Sequence, residues 1–310
     1  MGFSEADFKT FISGGVAGMC SKTTVAPLDR MKILFQAHNI HYKNLGVWSG
    51  LKTIVQKESF WALYKGNGAQ MIRIFPYAAT QFTAFDLYKT SFGRVLGTDT
   101  ILGSFAVKFG AGACAGVTAV TLTYPLDTIR TRLAFQVTGE HVYTGIMDAA
   151  QTIFRTEGGL LALYRGFIPT VCGIFPYAGS SFYCFETLKN LCIQYLPQYS
   201  CEQYGENGAL VLRFYAKLLC GGLAGAVAQT VAYPLDVTRR RMQLAMMNPE
   251  TAKFGRGMLA TLKLTYNENG VVRGLYRGMS INYYRACPMV AVSFSTYELT
   301  QQFLGVAPKS

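Results

Sequence analysis

Three short stretches of the sequence place an acid and a base on one face of a helix. "PLDRMK", "PLDTIR" and "PLDVTR" begin at positions 27, 125 and 234. In each stretch the base follows the acid by three residues, and this spacing brings both to the same side of a helix. One such pair stabilises a helix by only roughly 0.2–0.5 kcal/mol, so the triplication predicts that the acids and bases act together. The pairs are Asp29 with Lys32, Asp127 with Arg130, and Asp236 with Arg239.

A proline stands two residues before each of these acids. Pro27, Pro125 and Pro234 each remove a backbone donor and can bend the helix that contains them. Three bent helix ends could therefore meet around one axis. In that arrangement each acid would reach the base of the next copy, and the ion pairs would close into a ring.

Other elements recur in step with these stretches, so the chain is one unit present three times. "LYKG" at 63–66 returns as "LYRG" at 163–166 and 275–278. "IRIFPYA" at 72–78 is echoed by "CGIFPYA" at 172–178 and, more loosely, by "YRACPMV" at 284–290. We expect one domain over residues 1–310, with repeats at approximately 8–98, 99–200 and 201–305.

Each repeat contains two long apolar segments around a polar middle, which predicts six membrane-spanning helices. A helix rises ~1.5 Å per residue and a bilayer core is ~30 Å thick, so each segment can cross. The polar middles at 46–58 and 145–156 resemble short amphipathic helices lying at the surface. Three glycine pairs spaced GxxxG predict close helix contacts, namely Gly14 with Gly18, Gly112 with Gly116, and Gly221 with Gly225. The predicted fold is an all-α membrane protein with spans at roughly 8–36, 69–91, 104–136, 168–191, 213–243 and 280–303.

The composition agrees with a membrane protein that handles an anion. The chain is 50% hydrophobic and only 15% charged, whereas soluble domains carry about 25% charged residues. A net charge of +12 fits both a surface facing anionic lipid and a site for an anionic solute. The basic residues form no continuous run, so the sequence does not favour binding of nucleic acid. The scattered cysteines and histidines suggest neither a metal site nor a catalytic group.

With these motifs the sequence resembles the mitochondrial carrier family over essentially its whole length. The family signature is Px[DE]xx[KR]x[KR], followed by [DE]Gxxxx[FYW][KR]G, in three copies. The resemblance implies a carrier of the mitochondrial inner membrane that works by alternating access, without a cofactor, as a monomer in contact with cardiolipin. It also implies a matrix gate whose pairs are Asp29 with Arg130, Asp127 with Arg239 and Asp236 with Lys32, braced by Gln36 and Gln243.

A second network is implied at the cytoplasmic ends of the even-numbered helices. The stretches are "FDLYK" at 85–89, "FETLK" at 185–189 and "YELTQ" at 297–301. By resemblance, Asp86 pairs with Lys189 and Glu298 with Lys89, whereas Glu186 faces the neutral Gln301. The two exposed ion pairs of the cytoplasmic network should hold more weakly than the three ion pairs of the matrix gate. This difference predicts a resting bias toward the state open to the cytoplasm. The sequence departs from the signature at Leu34, Ser59, Ala134 and Gln301.

Three cations lie inside predicted spans, away from the span ends, and are not members of either network: Lys22, Arg73 and Arg285. A cation within a membrane span usually marks a solute pathway, although snorkelling to the interface is the alternative. By resemblance, Arg73 and Arg285 occupy two of the family's three substrate contact points. Gly173 and Ile174 form the second contact point, between these two, and Tyr177 offers a ring on which adenine could stack. Helix packing is the other reading of Gly173 and Tyr177.

A glycine followed by an aliphatic residue at the second contact point resembles the nucleotide-type carriers of the family. The residues of the motifs most resemble those of the coenzyme A carriers. This resemblance implies a carrier that exchanges coenzyme A or a related adenine nucleotide. ATP-Mg/phosphate, ADP/ATP or thiamine pyrophosphate are alternative substrates. A membrane scaffold or a proton leak is the alternative without transport. An enzyme is the least favoured class, because no nucleophile–base or metal-ligand spacing is present.

Overall fold

The computed structural model describes residues 5–37, 39, 41–42, 45–96, 101–137, 143–204, 209–247 and 251–305. They belong to two compact units, the first made of Met1–Phe167 with Val237–Ser310 and the second of Ile168–Asp236. The expectation of one domain over the whole chain stays a prediction.

The first two repeats have the same order of elements. The first contains α1 (Glu5–Gln36), α2 (Val47–Lys57), a 3-10 turn (Trp61–Tyr64) and α3 (Asn67–Leu96). The second contains α4 (Ile101–Phe135), α5 (Ile146–Thr156), α6 (Leu160–Leu163) and α7 (Phe167–Tyr195).

The third repeat adds two short strands before its first long helix. After α8 (Pro197–Ser200) come β1 (Cys201–Tyr204), β2 (Ala209–Leu212) and α9 (Phe214–Gln243). A 3-10 turn (Ala252–Arg256), α10 (Met258–Asn269), a π turn (Val271–Leu275) and α11 (Met279–Phe303) complete it. The strands pair antiparallel, with Cys201 opposite Leu212. The all-α prediction is confirmed for the rest of the described chain, and this strand pair was not predicted.

All six predicted spans are long helices, namely α1, α3, α4, α7, α9 and α11. Pro27, Pro125 and Pro234 lie inside α1, α4 and α9, which is where the predicted bends of these helices need them. By length and composition, three stretches of the described helices could cross a membrane: Val107–Phe135, Leu160–Tyr195 and Phe214–Gln243. The other long helices are more polar because cations such as Lys22, Arg73 and Arg285 interrupt them.

The core of the first unit lies under the C-terminal half of α1. Met31, Leu34 and Phe35 are buried there against Ile54 of α2 and Ile281 of α11. Along their length α1 packs on α11 and α3 packs on α4. The core thus fixes the end of α1 that carries the first acid–base pair.

The surface helices follow the amphipathic prediction. In α5, Ala149 and Ile153 are buried, whereas Met147 and Phe154 of the same helix are exposed. In α2 the buried side chain is Ile54. One face of each helix therefore packs on the core and the other faces outward, as predicted for 46–58 and 145–156.

The GxxxG prediction is wrong at several positions. A Cβ added at Gly14, Gly116, Gly221 or Gly225 would meet no described atom within 4 Å. The close approach occurs instead at Gly15, where an added Cβ would collide with the ring of Phe75. A spacing of small residues shows which helix face is bare but not whether another helix covers it.

Candidate functional site

Asp29 lies near the C-terminal end of α1 and accepts hydrogen bonds from two guanidinium groups. Arg130 Nη2 of α4 is 2.6 Å from Asp29 Oδ2, which is the pairing expected for a matrix gate. Arg285 Nη1 of α11 is 2.6 Å from the other carboxylate oxygen. The Asp29 side chain is only 8% exposed. A base of the expected gate and a cation expected to meet the cargo therefore share one buried acid.

Asp127 of α4 repeats this arrangement with more donors. Arg239 Nη2 is 2.6 Å from Asp127 Oδ2, again an expected gate pair. Arg73 Nη1 of α3 is 2.9 Å from Asp127 Oδ1. Gln243 Nε2 adds a hydrogen bond of 2.7 Å, and Arg240 Nη1 lies 3.2 Å away. This carboxylate is 1% exposed and is almost fully enclosed by donors.

Sequence reasoning missed three members of this group: Arg240, Thr131 and Thr123. Arg240 Nη1 donates to Thr131 Oγ1 at 2.6 Å and to Gln243 Oε1 at 2.8 Å. Thr123 Oγ1 accepts from Arg73 Nε at 3.3 Å. The signal was available, because Thr123 and Thr131 are each four residues from Asp127 and so share its helix face.

In the described structure Lys22 forms no ion pair with Asp29 or Asp127. Its Nζ is 3.4 Å from Met289 Sδ of α11. Among the described residues no carboxylate oxygen lies within 4.0 Å of this ammonium group. Because a thioether is a weak acceptor, Lys22 keeps donors available for a ligand.

The structure does not describe the expected pairing of Asp236 with Lys32. Asp236 belongs to the second unit and Lys32 to the first, so their pair stays a prediction. The Lys32 side chain is buried, and so is that of Gln36, the expected brace of the first copy. The Gln36 carbonyl accepts a hydrogen bond of 3.1 Å from Arg241 Nε.

The expected cytoplasmic network is not assembled within the first unit. In the described part of that unit no ion pair within 4.0 Å joins Glu298 to Lys89, so this predicted pair is absent. Gln301 Nε2 donates instead to Tyr297 Oη on its own helix, at 2.8 Å. Asp86 of α3 is exposed.

In the second unit, Lys189 Nζ lies 3.4 Å from Glu186 one turn earlier on α7. Both side chains are about 40% exposed, at 39% and 40%. The predicted pairing of Lys189 with Asp86 would join the two units and stays a prediction.

The residues expected at the second contact point lie together on α7. A Cβ added at Gly173 would stand 3.7 Å from Leu235 Cβ, an ordinary contact, so packing does not require glycine there. Ile174 is half-buried, and Tyr177 is 43% exposed, which leaves the ring open to stacking.

A comparison with known families explains why one pattern occurs three times. The model of the family described as "Mitochondrial carrier protein" matches residues 5–96, 103–196 and 211–307. The chain belongs to the mitochondrial carrier family. Members of this family are transporters, and the carrier is accordingly a multi-pass protein of the mitochondrial inner membrane.

Curated relatives place the carrier within one branch of the family. It is 54% identical to mouse solute carrier family 25 member 16 over 304 residues, which is 97% of this chain and 90% of the relative. It is 40% identical to the zebrafish mitochondrial coenzyme A transporter SLC25A42 over 296 residues, 95% and 87% of the two chains. Maize mitochondrial carrier protein CoAc2 is 39% identical over 302 residues, 94% and 84%. The likeness to the coenzyme A carriers, expected from the motifs, is confirmed.

The carrier replaces the base missing at Leu34 with one from the preceding turn. In the second repeat Arg132, in the signature position, binds Glu157 through both guanidinium nitrogens, one of them at 2.8 Å. In the first repeat Arg30 Nη2 makes the equivalent bond to Glu58 at 2.9 Å. Because positions four apart share a helix face, Arg30 can serve where Leu34 packs in the core.

Glu58 is held ionised by the groups around it. Lys65 Nζ and Tyr42 Oη each donate to it at 2.9 Å. Burial alone would raise the pKa of this carboxyl, but the charge of Arg30 and these hydrogen bonds hold it below its usual range. Burial, followed by the bond to the carboxylate, raises the pKa of Tyr42 above its usual range.

The third repeat lacks the corresponding acid. Counting back from Tyr276 as from Tyr164 places Asn269 at the position of Glu157. Arg241, equivalent to Arg132, donates to Gln36 O and Thr265 Oγ1, while its Nη2 is buried without a hydrogen-bond partner. Among the described residues no carboxylate oxygen lies within 4.0 Å of Arg241.

The glycines that end the first two LY[KR]G motifs lie close to the backbone of the matrix gate. Gly66 and Gly166 have φ values of 83° and 84°, which favour glycine. A Cβ at Gly66 would stand 2.7 Å from the carbonyl oxygen of Arg130, and one at Gly166 would stand 2.9 Å from that of Arg239. These turns therefore contact the backbone of the gate bases directly.

Proposed function

We propose that this carrier moves coenzyme A or a related adenine nucleotide across the mitochondrial inner membrane, by exchange and by alternating access. The proposal names Arg73, Arg285 and Lys22 as the cations that hold the phosphates. Gly173, Ile174 and Tyr177 form the slot for the adenine ring. The matrix and cytoplasmic networks act as the two gates.

One observation carries the proposal: each substrate-binding arginine binds an acid of the matrix gate. Arg285 contacts Asp29 at 2.6 Å and Arg73 contacts Asp127 at 2.9 Å. A phosphate group accepts the same bidentate hydrogen bonds as a carboxylate. An arriving phosphate would therefore compete for both arginines and withdraw one cation from each gate acid, which loosens the gate.

Lys22 supplies the third cation of the proposed site. Its described partner is the Met289 thioether, so binding a phosphate would not cost it an existing ion pair. Coenzyme A has three phosphate groups, which matches three cations. Residue chemistry alone does not select coenzyme A over other adenine nucleotides. That choice rests on the likeness to the zebrafish coenzyme A transporter and its relatives.

The state of the two networks supports a resting conformation open to the cytoplasm. Asp29 and Asp127 hold their gate bases at 2.6 Å, whereas no described ion pair joins Glu298 to Lys89. Gln301 cannot supply the missing third pair of the cytoplasmic network, since it is neutral. Gln301→Lys should therefore slow opening toward the cytoplasm, and unchanged transport kinetics would count against this bias.

Uptake into liposomes tests the substrate. The purified carrier should take up labelled coenzyme A when loaded with unlabelled coenzyme A, and ADP, ATP, thiamine pyrophosphate and a keto acid serve as competitors. Keto-acid uptake without nucleotide uptake would contradict the proposed site. Proton flux without uptake of any solute would favour the leak, and the absence of both would favour the scaffold.

Arginine substitutions test the site. Arg73→Ala and Arg285→Ala should abolish uptake, whereas Arg155→Ala, an exposed arginine on α5, should leave it unchanged. Arg73→Lys should retain a part of the activity, because it keeps the charge but loses the bidentate geometry. Intact transport in both alanine variants would overturn the assignment.

The proposal extends to anionic lipid. A cavity of about 550 Å³ lies where α3 and α5 begin, and Lys65, Gly66, Gly68 and Gly145 contribute to its lining. Helix N-termini and a lysine together favour phosphate groups, so cardiolipin is the expected lipid. The carrier is expected to work as a monomer. Native mass spectrometry of the Lys65→Gln variant should show less retained cardiolipin, and equal retention would contradict the site.

A further inference from the structure

Two thiols of the second unit face each other across neighbouring helices. Cys192 lies in the last turn of α7, and Cys220 lies near the start of α9. Their sulfur atoms are 3.7 Å apart. Neither residue belongs to the gates or to the proposed substrate site.

The surroundings keep the two thiols in place. Cys220 is 4% exposed, whereas Cys192 is half-buried at the edge of an apolar cluster made of Cys201, Leu212 and Ala216. A disulfide has a sulfur–sulfur distance of about 2.05 Å. The two sulfur atoms therefore have to approach each other by a further ~1.6 Å to form the bond.

We propose that Cys192 and Cys220 form a reversible intramolecular disulfide when the carrier meets a peroxide. The Cys192 thiolate, the more exposed one, attacks an oxygen of hydrogen peroxide: a sulfur–oxygen bond forms, the oxygen–oxygen bond breaks, and the leaving hydroxide takes up a proton to become water. The Cys220 thiolate then attacks this sulfenic sulfur. The sulfur–sulfur bond forms and a second hydroxide leaves as water, so that two thiols are oxidised while one peroxide is reduced.

The bond would restrain the end of α7 that carries the cytoplasmic network. Cys192 follows Lys189 by three residues and so lies on nearly the same helix face. A covalent link to α9 would limit any movement of Glu186 and Lys189 relative to that helix. This consequence for transport rests on the proposed function, whereas formation of the bond does not.

Peptide mapping of the full carrier in liposomes tests the bond. After treatment with hydrogen peroxide, free thiols are alkylated and the protein is digested without reductant. We expect a linked peptide pair containing Cys192 and Cys220, lighter by two hydrogen atoms than the sum of the reduced peptides and released by dithiothreitol. The pair should be lost in Cys192→Ala and in Cys220→Ala.

Two matched variants keep the test sharp. Cys201→Ala, which removes the neighbouring thiol, and Cys114→Ala, which removes a half-buried thiol of α4, should both leave the linked peptide unchanged. A link from Cys192 to Cys201, a link between two carrier molecules, or alkylation of both thiols after peroxide treatment would each overturn the proposal.

Transport is measured separately. Peroxide should lower the exchange rate of the carrier, dithiothreitol should restore it, and Cys220→Ala should be resistant. A linked peptide without any change in rate would refute only the restraint on α7. A carrier that moves no nucleotide but forms the link would refute the proposed function and leave the disulfide standing.

Discussion

Replacing Gln243 by alanine removes the amide that bridges the donors around Asp127. Gln243 Nε2 donates to Asp127 at 2.7 Å, and its Oε1 accepts from Arg240 at 2.8 Å and from Thr131 at 3.1 Å. The Gln243 side chain is fully buried. Water therefore cannot replace these bonds unless the cluster opens.

Two of the lost bonds involve a charged group, and each such bond contributes about 1.5–3 kcal/mol. Arg240 and Asp127 keep their direct contact at 3.2 Å in the variant, so the lower value applies to each bond. The free energy of unfolding should fall by about 3 kcal/mol. In a chain of this size 1 kcal/mol corresponds to roughly 2 °C, so the unfolding temperature should fall by roughly 6 °C.

The eight free cysteines of the carrier allow a direct assay. A dye that fluoresces on reaction with thiols reports unfolding of the purified carrier as temperature rises. Gln151→Ala, which shortens an exposed glutamine of α5, is the matched control and should unfold like the unmodified carrier. Equal unfolding temperatures for the two variants would refute the stabilising role of the bridging amide.

The same assay tests three further substitutions. Because the pKa of Glu58 is lowered, its stabilisation is complete above about pH 4.3 and is lost as pH falls through the lowered value, so Glu58→Gln should remove this acid sensitivity. Gly166→Ala should cost about 1–2 kcal/mol, because the left-handed backbone and the Arg239 carbonyl leave no room for Cβ. Asn269→Glu should raise the unfolding temperature by supplying an acid to Arg241.

Each of these substitutions has a counterpart. Glu202→Gln changes an exposed glutamate and should keep the acid sensitivity of the unmodified carrier. Gly145→Ala has free space around its Cβ and should be neutral. Asn269→Gln adds length without charge, and if it stabilised as much as Asn269→Glu, the charge on Arg241 would not be the cause.

The repeats made most of the fold predictable. The two apolar segments of each repeat predicted the six long helices. The acids and bases that follow the three prolines, together with the family resemblance, predicted the pairs of Asp29 with Arg130 and of Asp127 with Arg239. The partners that depend on side-chain reach were harder. The sequence predicts Arg73 and Arg285 as substrate-binding residues outside the gate, yet their long side chains bind the gate acids of neighbouring helices.

Other features left little trace in the sequence. Arg30 takes the place of the base missing at Leu34 because both share one helix face, a relation that a linear motif does not express. The strands at 201–204 and 209–212 are each four residues long, too short for a clear alternation of apolar and polar residues.

If the carrier moves coenzyme A, the two acid clusters predict how its exchange responds to voltage. Among the described residues of the first unit, six cations lie around Asp29 and Asp127, which is four positive charges more than these two acids carry; the cations are Arg73, Arg130, Arg239, Arg240, Arg285 and Lys22. Coenzyme A carries about four negative charges, since its phosphate monoester holds up to ~2 and each of the two phosphates of its diphosphate bridge holds about one.

A site loaded with coenzyme A would therefore be close to neutral, and exchange of one coenzyme A for another should be insensitive to membrane potential. Exchange against a nucleotide with one charge fewer would move one net charge, a difference of ~2.3 kcal/mol per 100 mV. The membrane potential would then set the direction of the exchange.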